Sequence, residues 1–226
     1  MTRLPQIITT IEYERLLAQP SPKAPTGIRN AAVLAVMWDA GLRVSEVCDL
    51  APGDVIRTGS NAHTLRVRRG KGGKDRANLG VPAATWALVE RWAAVRPTSR
   101  FFFCTLAGNR LSPRYIEAML ARYARRAAVY KLDAANRERP INPHMLRHSY
   151  ATRLIEAGVP IHDVKRALGH RSLSTTERYL HVNNARLAAR LRTALDSAGG
   201  GTEAEAVRRL VREELEALLE AMARAA

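Results

Sequence analysis

The sequence predicts a mostly α fold carrying one small antiparallel β-sheet (α+β). Three observations lead there. Apolar residues recur at helical spacing through most of the 226 residues. One stretch, 54 to 81, instead alternates on both sides of a Gly-rich turn. Pro and Gly punctuate the ends of the helical runs.

Taken in order, Thr9 and Glu12 make a capping box, and Ile11, Leu16 and Leu17 give a first helix that ends before the Pro-rich SPKAP segment. A longer apolar helix follows from about Gly27 to Ala40. Gly41 stands where a left-handed helix terminus is expected, and a short helix with Ser45 and Glu46 runs until Pro52 stops it. Arg43 therefore lies at a helix junction. From Asp54 to Val81, HTLRVRR alternates, RGKGGKDR turns and ANLGV resumes an extended pattern, which reads as a β-meander. Helical spacing returns with Trp86, Leu88, Val89 and Trp92, and again over about Ser112 to Val129. FFFC between them is a buried strand or turn. KLDAANRERPIN is polar and breaks the periodicity, Pro143 opens a helix, and Gly158 closes it. Two short helices then carry His162 to Leu168 and Ser174 to Leu180, and a longer one covers about Asn183 to Asp196.

Charge narrows the function. A formal net charge of +15 sets up a field that attracts a polyanion, and nucleic acid is the leading partner. An anionic membrane is disfavoured: the longest apolar stretch, around Ala31 to Trp38, is too short to span a bilayer, and no basic amphipathic anchor rich in large apolar residues is present. The segment MTRLPQIITT has no apolar core or cleavage signature of a secretory signal, so a cytoplasmic protein is expected. Cys48 and Cys104 lack C-x-x-C spacing and read as reduced core thiols.

Four islands hold the polar residues that phosphoryl-transfer chemistry would use: GLRVSEVCDL with Arg43, RGKGGKDR with Lys71, HMLRHSYAT with His144 and Arg147, and LGHRSLSTTERYLHV with His170 and Tyr179. In this order and spacing they resemble the tyrosine recombinase (phage integrase) family, from the first helix to about His181. The last island is the most specific, with an LGH turn, a Ser/Thr-rich helix start, a tyrosine nine positions after His170 and a second histidine two beyond it. The resemblance implies the recombinase catalytic-domain fold, double-stranded DNA as substrate, strand cleavage and rejoining through a 3′-phosphotyrosyl intermediate, and no cofactor.

The residues support that chemistry on their own terms. Negative charge grows on the non-bridging oxygens of a phosphodiester under attack, and arginine forks, always charged and bidentate, suit it; Arg43 and Arg147 are the natural clamp. Tyr179, with a reference pKa near 10, needs a proton acceptor or a strong positive field. His144 is the best candidate acceptor and His170 a donor to a phosphate oxygen, although the residues alone leave these two roles interchangeable. The leaving 5′-hydroxyl needs a general acid, which a lysine on a mobile β-turn can reach. Lys71 and Lys74 both fit, and the resemblance points to Lys71. Glu46 either orients a basic side chain or is an ordinary surface carboxylate. His144 and His148 lack the glutamate of a zinc hydrolase helix, so no metal is expected. Ser149 and His181 read as structural or supporting positions. The basic clusters RVRRGKGGKDR, Arg122 to Arg126 and Arg137 to Arg139 read as DNA-backbone contacts.

Three features set the organisation. Only about eight residues precede the first helix, so the N-terminal helical domain usual in the family is expected to be missing or removed, leaving DNA held from one side. Residues 1–198 read as the catalytic domain, 199–202 as a Gly-rich linker and 203–226 as an amphipathic helix. That last segment has six Glu and four Arg, a net −2 where the residues before it carry +17. Its Val207, Val211, Leu215, Leu218 and Met222 share one helical face, suited to pairing with a neighbouring subunit or to docking on its own domain. By resemblance the assembly is a homo-tetramer on DNA. The alternatives are a type IB topoisomerase, disfavoured by the LGH…Y segment and the compact size, and a non-catalytic relative occupying recombination sites, disfavoured because binding alone does not need Tyr179.

Overall fold

The computed structural model describes residues 6–58, 62–68, 76–133 and 136–169. In chain order the elements are α1 (Thr10–Leu17), α2 (Pro25–Asp39), α3 (Val44–Asp49), a 3₁₀ turn (Pro52–Asp54), β1 (Val55–Thr58), β2 (Ala62–Val67), β3 (Arg76–Gly80), α4 (Ala83–Val95), α5 (Pro113–Arg126), β4 (Tyr130–Leu132), β5 (Glu138–Pro140), α6 (Pro143–Glu156) and α7 (Ile161–Leu168). The expected helices at Ser174–Leu180, Asn183–Asp196 and 203–226, and the linker before the last, lie outside the described residues, as do Lys71, Lys74, His170, Tyr179 and His181.

Helix α2 is the spine. It packs against α1, α3, α4 and α6, and every residue from Ala32 to Trp38 is buried. A helix apolar all round belongs in such a position. Around it Leu16, Val47, Trp92, Phe103, Ile116, Leu120 and Leu146 complete the core, each fully enclosed. Cys48 and Cys104 are both buried free thiols, and burial pushes the Cys48 thiol up to about 11, which makes it unreactive. No helix among the described residues is long and apolar enough to cross a membrane.

Helix α1 begins with the expected capping box: the Thr9 hydroxyl accepts from the Glu12 N–H at 3.2 Å, and the Glu12 carboxylate accepts from the Thr9 N–H at 2.7 Å. Of the three apolar residues that mark it, Leu16 is buried and Leu17 packs against the core, whereas Ile11 does not. Ile11 is 64% exposed, and Tyr13 instead turns inward to stack on Trp38 with ring centroids 4.3 Å apart. An aromatic ring at that position covers more of the flat indole than a branched aliphatic chain.

The β-meander is present, with sheet order β1-β2-β3 and antiparallel pairing of Val55 with Leu65 and of Leu65 with Leu79. A second, two-stranded sheet, β4-β5, stands where the polar segment gave no periodicity; it pairs Tyr130 with Pro140 and Leu132 with Glu138. Ion pairs hold this hairpin rather than an apolar face. Asp133 receives Arg137 Nε at 3.0 Å and Arg139 Nε at 2.9 Å, and Lys131 reaches Glu12 at 2.7 Å. Burial opposes ionisation of Glu12, yet hydrogen bonds from Lys131 and Thr9 hold its carboxyl below the ordinary value.

Two local devices fix the elements next to the junction at Arg43. At the C-terminal end of α2, Arg153 of α6 donates to the Trp38 carbonyl at 3.2 Å and to Asp39 Oδ1 at 3.0 Å, and its guanidinium lies 4.3 Å from the Trp38 ring. The chain then turns at Gly41 with φ +56°, where an added Cβ would come within 2.3 Å of Tyr150 Cδ1. Both the left-handed backbone and the close approach of α6 require glycine there. The Ser149 hydroxyl, also on α6, accepts from the Ile8 N–H at 2.9 Å and donates to the Met145 carbonyl, so it tethers the incoming chain.

Candidate active site

Three segments far apart in sequence meet at the junction after α2. Arg43 is the N-cap residue of α3. Its N–H donates to Glu46 Oε2 at 2.7 Å, its Nη1 to Glu46 Oε1 at 2.9 Å, and its Nη2 to the Gly169 carbonyl at 3.2 Å. Arg147 comes from the middle of α6. Its Nη1 donates to the Gly41 carbonyl at 2.5 Å, its Nη2 donates to the Leu168 carbonyl, and Nη1 lies 4.0 Å from Glu46 Oε2. The two guanidiniums thus flank one carboxylate and hang on two consecutive carbonyls at the end of α7.

The location of those carbonyls follows from helix geometry. A helix leaves its last carbonyls without intrahelical partners, and arginines near a C-terminus satisfy them and offset the negative end of the dipole. Helix α7 ends at Gly169 in the left-handed conformation, φ +62° and ψ 42°, which exposes its carbonyl edge toward Arg43 and Arg147. His170 is the next residue in the chain. Arg147 is only 6% exposed, whereas the Arg43 side chain is 38% exposed. The sequence-expected clamp is therefore an asymmetric pair, one arginine embedded in the fold and one at its surface.

His144 stands on the first turn of α6, one turn before Arg147, where Asn142 caps the helix by accepting from the Met145 N–H at 3.1 Å. Its side chain is exposed and borders a cavity of about 490 Å³ shared with Gln6, Asp133, Asn142 and His148. The structure thus brings Arg43, Arg147 and the Leu168–Gly169 carbonyls together and sets His144 on the same helix as Arg147.

Two carboxylates matter more than the sequence reading gave them. Glu46 is the shared partner of both arginines. Asp54, only 2% exposed, accepts Arg66 Nε at 3.1 Å and Arg68 Nε at 2.6 Å, and its other oxygen accepts from the Ala51 N–H at 3.1 Å. The Arg68 bond ties down the last described residue before 69–75, the stretch of sequence that contains Lys71. The signal for Asp54 was the pair Arg66 and Arg68, two residues apart and so on one face of an extended segment. Helix α7 also packs against β3.

Comparison with known proteins gives a consistent result. The phage integrase family model matches residues 6–186. The chain is 35% identical over 191 residues to tyrosine recombinase XerD of Ralstonia nicotianae, covering 82% of this chain and 58% of that protein. It is 34% identical over 188 residues to tyrosine recombinase XerC of Myxococcus xanthus, covering 79% and 59%. Among solved structures, XerA recombinase superposes with a TM-score of 0.68 at 27% identity, over 86% of this chain and 66% of that one. The XerH site-specific recombinase in its post-cleavage complex with palindromic difH gives 0.68 at 26%, over 84% and 53%. The chain spans somewhat more than half the length of these curated relatives. With the helix-rich fold, the small antiparallel sheets and the four islands in order, the chain belongs to the phage integrase family of tyrosine recombinases.

Proposed function

We propose that the protein is a site-specific DNA recombinase that cleaves and rejoins DNA strands through a 3′-phosphotyrosyl intermediate. The observation that carries this reading is the convergence of Arg43 and Arg147 on Glu46 and on the carbonyls of Leu168 and Gly169, next to His170 in the chain. An arginine pair held in fixed geometry needs no reorganisation when charge develops on the phosphate, which makes it an effective transition-state stabiliser.

In this mechanism the Tyr179 oxygen attacks phosphorus and the bond from phosphorus to the 5′-oxygen breaks. His144 takes the tyrosine proton, His170 donates to a non-bridging oxygen, and Lys71 protonates the departing 5′-oxygen. Rejoining runs the same steps backwards with a 5′-hydroxyl as the attacking group. The energy of the broken phosphodiester is kept in the phosphotyrosine, so neither nucleotide nor metal enters the scheme. Double-stranded DNA is the substrate, in the cytoplasm.

The general acid is tested by sulfur substitution. Replacing the leaving 5′-oxygen with sulfur is expected to rescue cleavage by Lys71→Ala far more than by Arg147→Ala, because a thiolate departs without protonation while the non-bridging oxygens still need their clamp. Equal rescue of both variants, or selective rescue of Lys74→Ala, would overturn the assignment of Lys71.

Strand exchange in this reading is carried out by a homo-tetramer on DNA, with residues 203–226 as the helix that joins neighbouring subunits. The apolar face of Val207, Val211, Leu215, Leu218 and Met222 supplies area to bury, and its net negative charge suits a basic protein surface. A chain ending at Ala198 is expected to lose synaptic-complex size in light scattering while keeping adduct yield on a nicked substrate. Intact assembly with reduced cleavage would mean that the segment packs on its own domain and supports the active site.

A further inference from the structure

At the opposite end of α2 from Arg43, about 20 Å along the helix at 1.5 Å per residue, lies a second cavity of about 490 Å³. The loop between α1 and α2 forms one wall and α5 the other. Among the described residues its lining includes Asn30, Tyr115, Arg122, Tyr123 and Arg126 and contains no carboxylate. Arg122 and Arg126 are one helical turn apart on α5, both exposed, and neither has an ion-pair partner among the described residues.

Beneath this rim the fold buries a further positive charge. Arg29 is 2% exposed, and among the described residues its bonds go to neutral acceptors: the Cys104 carbonyl at 3.0 Å, Asn30 Oδ1 at 3.0 and 3.1 Å, and the Tyr115 hydroxyl, whose ring also lies 4.9 Å from the guanidinium. A buried guanidinium without a carboxylate is costly, and an anion nearby offsets that cost. Two of its neighbours, Asn30 and Tyr115, line the cavity. The Tyr123 hydroxyl, on a residue 5% exposed, accepts from Asn30 Nδ2 at 2.9 Å, which leaves its own proton to donate. The first turn of α2 borders the same space and has no side-chain cap. The wall is specifically built: an added Cβ at Gly27 would lie 2.0 Å from the Ser21 carbonyl oxygen, so the loop can close on the helix only over glycine.

We propose that this cavity binds a phosphate group, held at the rim by Arg122 and Arg126 and from the floor by the Tyr123 hydroxyl, with the buried Arg29 supplying the field. The site is separate from the scissile phosphate and does not depend on the strand-exchange reading. The phosphate comes either from the DNA backbone or from a free phosphorylated molecule, and the chemistry of recognition is the same.

The test uses inorganic pyrophosphate as probe, in phosphate-free buffer, on the full chain. Wild type is expected to show a saturable rise in Tm of several degrees, as for any ligand that binds the folded state alone. The double variant Arg122→Ala/Arg126→Ala is expected to lose the rise. The double variant Arg100→Ala/Arg114→Ala, which removes the same charge elsewhere, is expected to keep it. No rise, or the same rise in all three proteins, overturns the proposal, since a basic chain gathers anions without a site. A DNA source predicts that saturating duplex abolishes the pyrophosphate shift and that Arg122→Ala/Arg126→Ala flattens the slope of log affinity against log salt by about 1.8. A free ligand predicts that duplex and pyrophosphate shifts add and that the slope is unchanged.

Discussion

Replacing Tyr179 with phenylalanine is expected to abolish the covalent protein–DNA adduct while leaving duplex affinity nearly unchanged. The two effects separate for a physical reason. Affinity for DNA is set mainly by contacts between basic side chains and phosphates, and a chain of net charge +15 keeps all of them when one hydroxyl is removed. Covalent chemistry has no such redundancy, because phenylalanine has no atom that can form a phosphoester. A tyrosine of ordinary pKa near 10 is also a weak nucleophile unless the site accepts its proton, so another exposed tyrosine is a poor replacement. Tyr130, exposed on β4, is such a bystander. An electrophoretic mobility assay and a denaturing gel on one nicked substrate measure both quantities. Adduct at the wild-type rate from the variant would remove Tyr179 from the mechanism.

The second large effect is expected at Arg147. Its alanine variant should cleave about 10²- to 10³-fold more slowly, the usual loss when one preorganised transition-state donor is removed. It should also be less stable, because the Gly41 and Leu168 carbonyls each lose a buried donor. Arg43, at the surface, should show a comparable loss of rate with a smaller loss of stability. Lysine at 147 is expected to restore little, since a single ammonium cannot span two carbonyls and a phosphate as a planar fork does. Single-turnover cleavage below the Tm of each variant separates rate from unfolding. Wild-type cleavage by Arg147→Ala would contradict the clamp.

What the sequence made legible was the set of residues lying in short, ordered islands. Arg43, His144 and Arg147 were singled out by the order and spacing of those islands and their resemblance to the family, and the structure brings Arg43 and Arg147 together on Glu46. The bonds that orient the arginines were not legible. Arg147 is held by backbone carbonyls of Gly41 and Leu168, and Arg43 by that of Gly169, and a carbonyl leaves no trace in residue identity. The role of Glu46 as the carboxylate between both arginines is equally tertiary, since only Arg43 is its near neighbour in sequence.

The β4-β5 hairpin was missed for a different reason. Strand signals rest on apolar alternation, and here three-residue strands are exposed and joined by the ion pairs of Asp133 with Arg137 and Arg139. Those pairs also change the meaning of the basic cluster. Arg137 and Arg139 are engaged within the fold, which sets them apart from Arg122 and Arg126 on α5. The short first helix illustrates the same limit on a smaller scale: its reading rested on Ile11, Leu16 and Leu17, and the inward turn of Tyr13 depends on the Trp38 ring, which is distant in sequence.

Tyrosine-linked cleavage without metal is tested by identifying the residue that carries the DNA. Wild-type protein is incubated in excess chelator with a nicked suicide duplex containing a candidate recombination site, digested with protease, and the nucleotide-bearing peptide is sequenced by mass spectrometry. An adduct is expected at full yield in chelator, with the 3′-phosphate attached to Tyr179. Attachment to any other residue, or cleavage that appears only when a divalent ion is added back, would contradict it.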